Sequence, residues 1–105
     1  MEQLIAAVAS ALRLRPRAVE VLSLLAREGE LTVKEVAELL KISRRAAHDW
    51  LLSLLSKRLV RRKPVDTDGR LSYVYYLPPP REFVQVAIET LRREIEALER
   101  FLNGR

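Results

Sequence analysis

A chain of 105 residues has room for one modest core and little for a separate catalytic unit. Its 19 Lys and Arg against 14 Asp and Glu leave a net charge of +5, and the absence of cysteine excludes disulfides, thiolate metal sites and cysteine nucleophiles. No apolar run approaches the ~20 residues of a membrane span, and Glu2 stands where a secretory signal would carry a cation, so a cytoplasmic protein is expected.

From Met1 to Leu14, apolar residues fall at Leu4, Ile5, Val8, Ala11 and Leu12, the spacing of one helical face. Pro16 closes that helix, because the residue before a proline is pushed out of the helical region. It also suits the first position of a second helix, predicted to run to about Glu28. Val19, Leu22, Leu25 and Ala26 mark its inner face and Gly29 its stop. Thr32-Val33-Lys34-Glu35 is a capping box, so a short third helix should start there and end near Leu40, inward at Val36, Ala37 and Leu40. After Lys41-Ile42, Ser43 is a second N-cap. A fourth helix follows to about Lys57, inward at Ala47, Trp50, Leu51, Leu54 and Leu55.

At Leu59 the period changes. Leu59 to Val65 and Leu71 to Leu77 are rich in β-branched and aromatic residues and flank Asp66-Thr67-Asp68-Gly69, a hairpin signal. Pro78-Pro79-Pro80 stops the ladder, and a last helix is predicted from about Arg81 to Leu102. The predicted fold is mainly α with a small β-hairpin: a winged helix-turn-helix with an N-terminal helix and a long C-terminal dimerisation helix. Residues 1–80 form the winged helix, with the helix-turn-helix at 33–57 and the wing at 59–77, and residues 81–105 form the dimerisation helix.

The positive charge is local. Residues 41–63 hold eight cationic side chains and one acidic one, more than the surplus of the whole chain. A basic face on a neutral body is the footprint of a polyanion binder; the alternative is a solvated surface. If Ala47, Leu51 and Leu54 are buried, helical geometry sends Arg44, Arg45, His48, Asp49 and Leu52 to the outer face. Arg44 and Arg45 can hold guanine bidentately, His48 can donate to a base or phosphate, and Leu52 can touch a thymine methyl. Lys41 and the Ser43 hydroxyl stand at a helix N-terminus that favours phosphate. Asp49 can accept from cytosine or pair with Arg45 one turn earlier. Arg61, Arg62, Lys63 and Arg70 on the hairpin suit backbone phosphates or the minor groove, or else guard the strand edge against pairing.

In the last helix Val84, Ile88, Leu91, Ile95, Leu98 and Leu102 step by four and three, a heptad seam widened by Phe101. A homodimer through this seam is expected, helped by Leu4 and Val8 of the first helix; the alternative is a helix folded back on its own domain. One histidine, no cysteine and no glycine-rich phosphate loop argue against an enzyme, and no cofactor, metal or small-molecule ligand is implied. Two other readings remain open: a protein-interaction module in a transcription or repair assembly, and an RNA or single-strand binder.

The stretch L-T-V-K-E-V-A-E-L-L-K-I-S-R-R-A-A-H-D-W-L, then L-L-S-K-R-L-V, then D-G-R-L-S-Y-V-Y-Y-L-P-P-P-R-E before a helix resembles the winged-helix transcription regulators of the MarR and ArsR type. The likeness is greatest to the TrmB-like regulators common in archaea. It covers about residues 16–102 and implies double-stranded DNA as partner, Ser43, Arg44, Arg45 and His48 on a recognition helix, and Arg70 on the wing. Lys41 and Arg58 stand where many relatives have glycine, so left-handed backbone is expected at both. Fifteen Arg against four Lys, with one Asn and one Met, is a composition compatible with a thermophile.

Overall fold

The structure, a computed structural model, describes residues 1–104. The elements run α1 (Glu2–Leu12), α2 (Pro16–Glu28), α3 (Val33–Leu40), α4 (Arg44–Ser56), β1 (Arg61–Thr67), β2 (Arg70–Tyr76) and α5 (Pro80–Leu102). This is the mainly helical winged-helix architecture expected from the sequence.

Local chemistry sets the boundaries. Thr32 Oγ1 accepts from the Glu35 N–H at 3.2 Å while Glu35 Oε1 accepts from the Thr32 N–H at 2.8 Å, closing the capping box that starts α3. Ser43 Oγ accepts from the Ala46 N–H at 3.0 Å and starts α4. The chain leaves α3 through Lys41 at φ 56° and leaves α4 through Arg58 at φ 64°, so both residues take the left-handed conformation expected of them. Arg13 closes α1 in the same way, at φ 56°.

The hairpin is tighter than the sequence suggests. Arg61 pairs with Tyr76 and Thr67 with Arg70, so the strands extend through Asp66 and Thr67 and the loop shrinks to Asp68-Gly69. Both loop residues have positive φ, as a two-residue turn matching the twist of the strands requires. Leu59 and Val60 precede the strand and are fully buried, anchoring the hairpin base in the core. One contact was not foreseen: Leu31 donates to Tyr75 O at 3.0 Å and accepts from Tyr75 N at 2.7 Å, adding a single-residue third rung to the wing. Tyr75 is buried beneath it.

One hydrophobic cluster joins all the helices and the wing. Val21, Leu22, Val36, Ala47, Leu51, Leu59 and Phe83 are wholly enclosed, each large apolar member contributing about 1.5–3 kcal/mol on burial. Ala37 and Ala47 are buried where α3 crosses α4, and their small side chains let the helices approach closely. Within α2 the buried face is Ala18, Val21, Leu22, Leu24 and Leu25, with Val19 and Ala26 at its margin. Trp50 and Leu55, expected inside, are half-buried on the flanks of α4.

The first turns of α5 belong to this core through Phe83, Val86 and Ala87. That stripe lies beside the seam Val84, Ile88 and Leu91, so Val84 and Leu91 are half-buried at the margin of the body and Ile88 is exposed. From Arg92 to Leu102 every residue is exposed, including Ile95, Leu98, Phe101 and Leu102. The distal helix therefore does not fold back on its own domain. Val8 requires a correction: it is 4 % exposed, taken up by the chain's own core rather than presented to a partner, because α1 packs this face inward with Ile5. Leu4 is half-buried at the margin of the same face. No helix among the described residues is long and apolar enough to cross a membrane.

Candidate nucleic-acid interface

With Ala47, Leu51 and Leu54 buried, α4 turns Arg44, Arg45, His48, Asp49 and Leu52 to solvent, all of them exposed. The ion pairs among the described residues are Arg17–Glu20, Arg58–Glu89, Arg61–Glu82 and Lys63–Glu30, so Asp49 does not hold Arg45. Of the two partners the sequence leaves open for Asp49, the structure does not form the one within the chain. Lys41 and Ser43 sit exposed at the turn before the helix. The Ser43 oxygen serves as a cap, which leaves its hydroxyl hydrogen available to a ligand.

An open cleft of about 800 Å³ lies between this end of α4, the start of α3 and the wing tip, lined by Thr32, Lys34, Arg44, Asp68, Arg70 and Ser72 among others. Lys34, Arg44 and Arg70 come from three different elements and none is in an ion pair among the described residues. Three cations with hydroxyls at the margins can hold an anion against Coulomb repulsion from the single acid, Asp68. Sequence reasoning named Arg44 and Arg70 but missed Lys34, Thr32 and Ser72. The capping box placed Lys34 at the start of α3, yet only the folded crossing of α3, α4 and wing brings it beside the other two.

The first strand of the wing differs from its sequence reading. Lys63 Nζ lies 2.7 Å from Glu30 Oε2, whose hydrogen bond and charge hold the ammonium above the ordinary lysine range. Arg61 pairs with Glu82 of α5, and Arg58 with Glu89 at 3.2 Å. Arg62 stacks 4.2 Å from the centre of the Tyr73 ring and donates to Tyr75 Oη at 3.4 Å. Lys63 also stands over the Tyr76 ring. These cations are bound to their own molecule where the wing meets the α2–α3 link and α5, whereas Arg70 on the second strand is in no ion pair among the described residues. The same contacts place a cation over one face of each of Tyr73 and Tyr76, both of which are half-buried.

Among the described residues no cluster of three or more His, Asp or Glu could hold a metal ion. His48 is the one histidine, exposed beside cations.

A helix-turn-helix whose outer face is basic, followed by a two-stranded wing, defines a winged-helix protein. The MarR family model matches residues 14–71, more than half of the chain, and the chain belongs to that family. No curated protein matches the sequence. Among solved structures, a possible transcriptional regulator from Methanosarcina mazei Go1 superposes with a TM-score of 0.74 at 16% identity, over 92% of this chain and 83% of that one. A mutant of MarR from E. coli gives 0.59 at 22% identity, over 98% and 85%. A mutant of ZitR from Lactococcus lactis, solved in complex with DNA, gives 0.56 at 27% identity, over 86% of this chain and 59% of that one.

Proposed function

We propose that the protein is a homodimeric transcriptional regulator that binds double-stranded DNA sequence-specifically, with α4 in the major groove and the wing on the flanking backbone or in the minor groove. The observation that carries this reading is the outer face of α4, where Arg44, Arg45, His48, Asp49 and Leu52 stand exposed and in no ion pair among the described residues. A helix of 13 residues spans ~20 Å and is ~10–12 Å across, which suits a major groove ~12 Å wide. Arg44 and Arg45 supply bidentate donors for guanine, His48 a donor, Asp49 an acceptor for cytosine, and Leu52 an apolar contact for a thymine methyl. Lys34, Arg44 and Arg70 bracket a place for one backbone phosphate, and Lys41 and Ser43 offer a second at the helix N-terminus. Arg61, Arg62 and Lys63 face the backbone only as far as their acidic and aromatic neighbours release them. The likeness to ZitR, solved with DNA, supports the same reading. The Asp-Gly-Arg wing, the tyrosine-rich strand and Pro78-Pro79-Pro80 support a place near the TrmB-like regulators of archaea.

Two copies related by a two-fold axis would present two recognition helices to successive grooves, about 34 Å apart, on a pseudo-palindromic site. The test is titration of a labelled duplex at several salt concentrations. Affinity should fall linearly on logarithmic axes as counterions are released. Arg44→Ala with Arg45→Ala should weaken binding about 30-fold or more. A duplex that is not retarded even at low salt would leave only a protein-interaction role, and tighter binding to single strands would move the assignment to RNA or single-stranded DNA.

A further inference from the structure

The geometry points to an antiparallel pairing of the distal α5 helices of two copies, in which Leu91 meets the partner's Leu102, Ile95 meets the partner's Leu98, and Arg92 forms an ion pair with the partner's Glu99. This rests on the dimeric reading above and specifies its register.

The argument starts from what is left uncovered. Phe83, Val86 and Ala87 bind α5 to its own body, whereas Ile95, Leu98, Phe101 and Leu102 are 56, 67, 79 and 87 % exposed. The stretch from Arg92 to Leu102 is roughly 16 Å of helix without a neighbour, too short to be stable alone on propensity. Its apolar stripe is continuous and of coiled-coil spacing, so a second copy of the same stripe is the complementary surface.

Charge then selects the direction. With Ile88, Ile95 and Leu102 at a and Leu91 and Leu98 at d, the flanking e positions are Arg92 and Glu99, and the g positions are Glu94 and Phe101. In a parallel pair each g residue faces the following e residue of the other strand. Glu94 would then lie against the partner's Glu99, twice by symmetry, with nothing to offset it.

In an antiparallel pair, e faces e and g faces g. The register that buries Leu91, Ile95, Leu98 and Leu102 together sets Arg92 beside the partner's Glu99 and Glu94 beside the partner's Phe101. Both Arg92 and Glu99 are exposed and in no ion pair among the described residues. Sliding one heptad toward the bodies would set Arg92 against the partner's Arg92 and Glu94 against the partner's Glu94. It would also bring Leu102 to Val84, which is half-buried on its own body. Only this register therefore covers the exposed apolar residues of the distal stretch, Ile95, Leu98, Phe101 and Leu102, without a like-charge contact. It also carries the two bodies to opposite ends of the pair.

The chain has no cysteine, so engineered ones report cleanly. Leu91→Cys and Leu102→Cys chains, each alone in a glutathione redox buffer, should stay uncrosslinked, because like positions lie far beyond the ~7 Å Cα separation that a disulfide tolerates. Mixed, they should form a crosslinked heterodimer. Crosslinking of Leu102→Cys with itself would overturn the antiparallel register in favour of a parallel one. A wild-type mass near one chain at micromolar concentration would instead remove the dimer on which it rests. Glu99→Arg gives an independent reading: the dimer should weaken about five- to tenfold, and Arg92→Glu with Glu99→Arg should restore it. A parallel pair predicts the opposite sign for Glu99→Arg, which would then face the partner's Glu94 and tighten the dimer.

Discussion

Lys41 carries a conflict between two demands. The turn between α3 and α4 needs a left-handed residue, and its φ of 56° meets that need at a steric cost of about 1–2 kcal/mol for a side chain with a Cβ. The side chain is exposed at the N-terminal edge of the proposed recognition helix, where a cation can reach a phosphate. Lys41→Gly should remove the strain and lose some unfolded-state restriction, for a net gain of about 0.5–1 kcal/mol. Thermal unfolding should shift upward by a few degrees, while duplex affinity at fixed salt falls modestly. A lower melting temperature would show that Lys41 makes a stabilising contact outweighing its backbone. This position was readable from sequence, as were the Thr32 and Ser43 caps, because capping and turn chemistry involve residues three or four apart. Lys34 as a member of the cleft was not readable, since nothing local distinguishes it from any exposed helix lysine.

The wing shows the same limit at the level of the element. Its existence and turn followed from Asp68-Gly69 between apolar runs, and its strand extent shifted only because a two-residue loop draws Asp66 and Thr67 into the ladder. The fate of its charges depended on acids remote in sequence: Glu30 from the α2–α3 link and Glu82 and Glu89 from α5. These pairs are half-exposed and screened by solvent, so each adds little to stability. For Lys63 the folded state raises the ammonium's pKa, so its share is fully present below the unfolded value and fades only as pH climbs through the raised one. Around neutral pH it is constant, and any pH dependence of stability there must arise elsewhere. Their larger consequence is for polyanions, because a phosphate must displace Glu30 or Glu82 before it can use Lys63 or Arg61. Glu30→Gln with Glu82→Gln should therefore leave the melting temperature nearly unchanged yet raise low-salt duplex affinity several-fold and steepen the salt slope by about one to two. An unchanged slope would assign Arg61 and Lys63 to holding the hairpin on the body, leaving Arg70 as the wing's DNA contact.

For the whole molecule, the extents of 57 × 28 × 25 Å and a radius of gyration of 15.7 Å exceed the ~13 Å of a compact domain this size. The excess is the distal half of α5, which leaves the body with an apolar stripe on it. The heptad spacing was visible in the sequence, but not which residues the body would claim. Phe83, Val86 and Ala87 form a second stripe beside the seam, and only packing decides that this one turns inward. Leu98 lies in the outward stripe, two-thirds exposed in the single chain, so Leu98→Glu removes nothing from the core. The variant should keep its helical circular dichroism and its melting behaviour at low concentration, while light scattering falls from the mass of two chains toward 12.1 kDa. In the proposed dimer, duplex affinity should fall with it, because a single recognition helix forfeits the effective concentration, in roughly the millimolar range, that tethering to its twin would supply. On a half-site duplex, wild type and Leu98→Glu should bind alike. If the monomeric variant held the full site as tightly as wild type, the two α4 helices would be acting singly, and the exposed seam would serve a purpose other than presenting them in pairs.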